Sequence, residues 1–141
     1  MPIEMNELFG IAGKVAVITG AGGVLGGNIA KHFMRQGAKV VAVDIRQEQL
    51  DKRVSELKQY GNEVIGVVGD VLDVASLGKL AGQVLSQWGK IDILLNIAGG
   101  NMPGATLEPE QHFYDMDIAC WEKVTGLNMN GTVYPSMVFG K

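Results

Sequence analysis

A single cysteine, Cys120, stands among 141 residues, so no disulfide can form within this chain, and a reducing, cytoplasmic setting is the expectation. No uncharged apolar run approaches the 18 or so residues that a membrane-spanning helix requires. Lys plus Arg number 12 against 15 for Asp plus Glu, a net charge of -3, and no five like charges adjoin, so the basic footprint of a nucleic-acid binder is missing. Hydrophobic residues at 47% against 19% charged exclude the composition of a disordered chain. The opening Met1-Pro2-Ile3-Glu4 has neither a basic segment nor an apolar one, and no secretory leader is expected.

Glycine is what the chain has in excess: 20 of 141 residues, about twice the roughly 7% of average composition. Such glycines mark tight turns or close approach to a ligand. Four short apolar runs recur at Val15–Ile18, Val40–Val43, Val64–Val68 and Ile91–Leu95, and unbroken Val/Ile runs of this kind read as strands buried on both faces. Between them lie helical stripes: Leu25, Ile29 and Phe33; Leu50, Val54 and Leu57; Leu77, Leu80, Val84 and Trp88. Gly37, Gly61 and Gly89 follow the three stripes where a left-handed residue ends a helix, and Asp73 stands where it caps the third.

The order β-α-β-α-β-α-β predicts an α/β fold of the Rossmann type, a doubly wound parallel sheet with strand order 3-2-1-4 and ligands beyond the strand C-termini. After Asn96 the pattern turns irregular to about Met116, which reads as an active-site or lid loop. Asp115 or Asp117 then caps a helix through Trp121, Val124 and Leu127. A separate helix is expected from about Asn128 through Val133, Met137 and Val138, with Pro135 tolerable only in its early turns.

Thr19-Gly20-Ala21-Gly22-Gly23-Val24-Leu25-Gly26 falls where the first strand turns into the first helix. Glycines there let backbone N–H groups approach a pyrophosphate, and the helix N-terminus adds unpaired donors and the positive dipole end. No Gly-Lys-Ser/Thr follows, which excludes a P-loop. Asp44 closes the second strand roughly 20 residues on, the separation at which a carboxylate accepts hydrogen bonds from an adenosine ribose and repels a 2′-phosphate. Asp44 therefore favours NAD over NADP, with the adjoining Ile45 also expected at the cofactor; the alternative is that Asp44 caps the second helix, and Arg46 can soften the repulsion of a phosphate. His112, Asp115 and Asp117 lie in a loop without the supporting partners of a metal site, and no metal is expected. His32 reads as surface or packing, Cys120 as a small buried apolar residue, and Trp88 as core.

Taken together, Thr19-Gly20-(x)5-Gly26, Asp70-Val71 after strand three, Asn96-Ile97-Ala98-Gly99 after strand four and Asn128 in Leu127-Asn128-Met129-Asn130-Gly131 resemble the ordered motifs of the short-chain dehydrogenase/reductase family. The resemblance spans essentially the whole chain. It implies that Gly20, Gly22, Gly23, Val24, Leu25 and Gly26, with Thr19, cradle the dinucleotide, that Asp70 and Val71 hold the adenine, and that Asn96, Ala98 and Gly99 lie beside the nicotinamide ribose. Asn128 matches the family's structural and proton-relay asparagine. Val24 stands where the usual pattern has Gly, and Ile97 where it has Asn. Gly-Gly-Val-Leu-Gly with Ala-Gly-Gly-Asn is similar to the D-mannonate oxidoreductase (fructuronate reductase) branch, which implies a sugar-acid substrate, a loop carrying Asn101, His112 and Tyr114 for it, and a homo-oligomer at full length.

The family's proton-transfer pair, Tyr-x-x-x-Lys, uses a neighbouring ammonium to lower the tyrosine pKa. Here Tyr60 is followed at that spacing by Val64, Tyr114 by Ile118 and Tyr134 by Val138. Residues 1–141 are therefore expected to be the N-terminal part of one NAD(P)-binding domain, with further strands missing and strand four left as an open edge beside an uncovered face of Val133, Met137, Val138 and Phe139. A catalytically inert dinucleotide-binding module shares the same residues and is the alternative from another class. A nucleotide-sugar epimerase built on the same half-fold is the third possibility.

Overall fold

The computed structural model describes residues 8–61 and 63–141; the Met1–Glu4 stretch read as having no leader lies outside them. Strands β1 (Val15–Thr19), β2 (Lys39–Asp44), β3 (Val64–Val68) and β4 (Ile93–Asn96) alternate with helices α1 (Val24–Arg35), α2 (Gln47–Lys58) and α3 (Val74–Trp88). All pairings are parallel and the order is β3-β2-β1-β4, the arrangement the sequence predicts. Strand β1 is central, and every one of its residues is buried.

Successive side chains of the central strands divide between two cores, as the two-residue strand period requires. Ile18, Val40, Ala42 and Val64 join Ala30, Met34, Leu50 and Leu57 of α1 and α2 on one side of the sheet. Val15, Val17, Val41 and Val43 join Leu77, Leu80 and Val84 of α3 on the other, together with Phe139. The helix ends follow local chemistry. The Asp73 carboxylate accepts from the Ser76 N–H at 3.1 Å, and Gly37, Gly61 and Gly89 all take positive φ.

Three expectations are corrected. The buried face of α1 is Gly26, Gly27, Ala30 and Met34, with Ile29 and Phe33 of the predicted stripe packed half-buried against the same core, whereas Leu25 at its head is 62% exposed. Glycine at 26 and 27 lets the helix start press its backbone against the turn and against α2, and this turns Leu25 outward. The two separate helices expected after Met116 are one continuous helical path: α4 (Ile118–Thr125), a π-helical turn (Gly126–Asn130) and α5 (Gly131–Phe139). Asp117 caps it, accepting from the Ala119 and Cys120 amides. Pro135 sits mid-helix and buried, and the Thr132 and Ser136 hydroxyls donate to the carbonyls of Asn128 and Thr132 four residues back. Finally, Phe139 is not on the uncovered face but in the core beneath α5, and Val138 is half-buried against the same core, while Val133 and Met137 are exposed as expected.

Trp88 is half-buried against the second core, His32 is exposed, and Cys120 is half-buried rather than buried. Between Gly99 and Asp117 only two short 3-10 turns form, Pro103–Ala105 and Phe113–Asp115. No helix among the described residues is long and apolar enough to cross a membrane.

Candidate dinucleotide site

At the C-terminal ends of the strands, where β2 and β4 lie on opposite sides of β1, the chain encloses a cleft of about 350 Å³, within the range of small-molecule sites. Its floor is the turn from β1 into α1. Gly20 has φ +66, and a Cβ there would lie 2.8 Å from the Ala98 nitrogen. Position 20 therefore excludes side chains twice, by backbone conformation and by the close approach of the turn that follows β4. A Cβ at Gly26 would fall into the Gly20 carbonyl. Helix α1 opens with no side-chain cap and no acidic residue in its first turn. Its first N–H groups have no intrahelical partner, and they carry the positive end of the dipole into the cleft. Exposed apolar Val24 and Leu25 stand on the same wall.

Opposite this helix start, Asp44 ends β2 with its side chain 3% exposed. One carboxylate oxygen accepts from the Gly22 N–H at 3.0 Å and from Arg46 Nη2 at 3.2 Å; the other accepts from the Arg46 N–H and Nε, both at 3.0 Å. Burial pushes the carboxyl pKa up, but the Arg46 guanidinium and the Arg46 and Gly22 N–H groups outweigh it and hold the group below the usual 3.8. The carboxylate is thus charged and aimed into the cleft wall. Asp44 does not cap α2, whose N-cap is Arg46 without a side-chain cap bond; its backbone partners, the Arg46 and Gly22 N–H groups, tie the turn after β2 to the glycine turn.

Of the residues predicted to hold a dinucleotide, Gly20, Gly23, Val24, Leu25, Gly26, Asp44, Ile45, Asp70, Val71, Ala98 and Gly99 line the cleft. Thr19, Gly22 and Asn96 do not; they stand behind its wall. The fully buried Thr19 hydroxyl accepts from the Ile97 and Ala98 amides at 3.1 and 3.2 Å, clamping the end of β1 to the turn after β4. Asn96 Nδ2 donates to the Ser136 hydroxyl at 3.1 Å, and its Oδ1 is buried without a partner. Asp70 accepts from the Leu72 N–H at 2.9 Å, so it is a turn residue as well as a lining one. Sequence reasoning missed Val43, Arg46, Gly69, Ile97 and Leu127 as lining residues. Their only signal was adjacency to motif positions.

Asn128 lies in the π-helical turn, with both ends of its amide on one residue. The Gly100 N–H donates to Oδ1 at 2.9 Å, and Nδ2 donates to the Gly100 carbonyl at 3.0 Å. A Cβ at Gly99 would reach 2.6 Å from that oxygen, so glycine there lets the loop dock. Asn128 thus holds the Gly99–Gly100 wall rather than lining the cleft. Asn101 donates to the Thr106 hydroxyl at 2.7 Å, and the His112 and Tyr114 rings stack with centroids 5.3 Å apart; none of the three lines the cleft. No cluster of metal-ligating side chains occurs among the described residues, His112, Asp115 and Asp117 included.

A parallel 3-2-1-4 sheet, a glycine turn feeding an uncapped helix and a carboxylate at the end of β2 are the dinucleotide-binding half of a Rossmann domain. The chain belongs to the short-chain dehydrogenase family, whose model matches residues 14–139. It is 38% identical to an uncharacterized oxidoreductase, UxuB, of Bacillus subtilis (strain 168), across 100% of this chain and 52% of that protein. It is 35% identical to the 2,3-dihydro-2,3-dihydroxybenzoate dehydrogenase of the same organism, across 94% of this chain and 48% of the relative. A crystal structure from Haemophilus influenza, provisionally assigned as a D-mannonate oxidoreductase and holding NAD, superposes with a TM-score of 0.85 at 34% identity, over 92% of this chain and 50% of that one. The chain spans about half the length of the curated relatives it matches.

Proposed function

We propose that residues 1–141 form the cofactor-binding half of an NAD-dependent short-chain oxidoreductase that moves a hydride between nicotinamide and a sugar acid such as D-mannonate or D-fructuronate. The observation that carries the cofactor is Asp44, a charged carboxylate in the cleft wall opposite the uncapped start of α1. Gly20 and Gly26 fit a close-lying pyrophosphate, since a Cβ at either would meet backbone. The first N–H groups of α1 face the phosphates, Asp44 accepts the ribose hydroxyls, and Asp70 and Val71 bound the adenine end. Nicotinamide supplies the hydride chemistry when bound. In this stretch, Thr19 and Asn128 keep Ala98 and Gly99 in place at the far end of the cleft, where Asn96 stands behind them.

Likeness to the provisionally assigned D-mannonate oxidoreductase supports the sugar acid, as do the Gly-Gly-Val-Leu-Gly and Ala-Gly-Gly-Asn segments. The whole enzyme is proposed to be a cytoplasmic homo-oligomer. A second reading is an inert dinucleotide-binding module, which shares Gly20, Gly26 and Asp44 with the enzyme.

Calorimetric titration with NAD and NADP tests the site. Wild type binds NAD more tightly. Asp44→Ala loses about tenfold or more for NAD, the loss of a hydrogen bond to a charged group being about 1.5–3 kcal/mol, and loses less for NADP. Equal losses for the two cofactors remove Asp44 from the ribose. Oxidation of D-mannonate by the longer polypeptide, with no turnover of unrelated alcohols, separates the enzyme from the inert module.

A further inference from the structure

A carboxylate offers about four acceptor positions on its two oxygens, and at Asp44 all four are taken in the ligand-free protein. Two belong to backbone: the N–H groups of Gly22 and Arg46, both at 3.0 Å. The other two belong to the Arg46 side chain, Nε at 3.0 Å and Nη2 at 3.2 Å, one on each oxygen. The backbone donors are fixed by the glycine turn and by the start of α2. The guanidinium is not: it is half exposed, itself lines the cleft and, among the described residues, has no other hydrogen-bond or ion-pair partner.

We propose that the Arg46 guanidinium is a placeholder for a ribose diol: it fills the two Asp44 acceptor positions that a ligand's adjacent hydroxyls take, and it swings out when they arrive. The inference rests on the reading of the cleft as a dinucleotide site and adds a residue that sets its affinity. The exchange is balanced, with two N–H donors leaving and two O–H donors entering, while the Gly22 and Arg46 amides hold the carboxylate still. Its physical basis is the cost of an unpaired buried charge. With the cleft empty, the guanidinium keeps Asp44 paired; with it filled, the diol does so. Arg46 is therefore a positioning residue that opposes diol binding, and the freed cation remains on the wall of a cleft proposed to take an anionic ligand.

The probes are adenosine, which is neutral and carries the diol, and 2′,3′-dideoxyadenosine, which lacks both hydroxyls, each titrated into the full chain by NMR. Arg46→Ala is expected to bind adenosine roughly two- to fivefold more tightly than wild type, the worth of a partly exposed ion pair, with dideoxyadenosine binding unchanged. Arg46→Lys keeps a cation but cannot bridge both oxygens, and it gives a smaller gain of the same sign. Weaker or unchanged adenosine binding in Arg46→Ala overturns the proposal, as does an equal gain for both nucleosides. Asp44→Asn separates this from failure of the site itself. If wild type fails to bind adenosine, or if Asp44→Asn leaves the preference for adenosine over dideoxyadenosine intact, the ribose site is wrong whatever Arg46 does.

Discussion

The segment from Val15 to Ala98 and the segment from Gly99 to Thr125 lie side by side in the chain and are built in opposite ways. In the first, strand residues pack on both faces and a Cβ at Gly20 or Gly26 of the glycine turn would meet backbone. In the second no residue is buried, and Phe113, Tyr114, Ile118 and Trp121 gather around a shallow apolar hollow, with Phe113 78% and Tyr114 81% exposed. The first is specified by contacts within the chain and so has one shape. The second buries no side chain of its own, and apart from the Gly100–Asn128 pair its side-chain hydrogen bonds are local: Asn101 to Thr106, His112 to Asp115, Cys120 to Asp117. The stretch that lines most of the cleft is packed into the two cores of the sheet, while the part proposed to meet the variable substrate buries no residue.

That contrast is sharpest at Gly20. Gly20→Ala adds a left-handed strain of about 1–2 kcal/mol and an overlap with the Ala98 backbone worth about 1–3 kcal/mol. A loss of about 3 kcal/mol in denaturant unfolding, with dinucleotide binding abolished, is expected. A smaller effect follows where the π-helical turn holds the start of the second segment. Asn128→Ala removes both hydrogen bonds to Gly100 and costs about 1–2 kcal/mol, read as faster amide exchange at Gly100 with the β-sheet amides unchanged.

Acid acts on the first segment. Asp92 accepts from the Val15 N–H at 2.8 Å and pairs with Lys90 at 2.9 Å; these hold its pKa below 3.8, the amide contributing most and Lys90 next. A group whose pKa is lower folded than unfolded stabilises fully above its unfolded value and loses that contribution as pH falls through the folded one. The stability gap between wild type and Asp92→Asn is therefore present at pH 7 and closes below about 3.8. The smallest effect belongs to the second segment: Phe113→Ser and Trp121→Ser are each expected within about 0.5 kcal/mol of wild type. A loss of 2 kcal/mol at either would erase the distinction between the segments.

Legibility in the sequence divides along the same line. The strands, their order, the caps at Asp73 and Asp117, and most of the cleft lining were readable because each is a local rule: runs of Val and Ile, a carboxylate before a helix, glycine before a helix start. Leu25 was misread because hydrophobic spacing assumes that the apolar face is the buried one, whereas Gly26 and Gly27 bury a helix face by being small. The continuous path from Ile118 to Phe139 was read as two helices because Asn128 and Pro135 argue for a break. A π turn and back-bonding hydroxyls absorb both. The Arg46 bridge needed coordinates, since sequence places Arg46 near Asp44 without saying which oxygens it takes.

The central claim, that the cleft between α1 and the ends of β1 and β4 takes the dinucleotide, is tested most directly by titrating NAD into the isotope-labelled chain and following backbone amides. Saturable shifts concentrated at Gly23, Val24, Leu25 and Gly26, at Asp44 through Arg46 and at Ala98–Gly99 are the predicted result. Shifts confined to Phe113–Trp121, or none at millimolar NAD, contradict it.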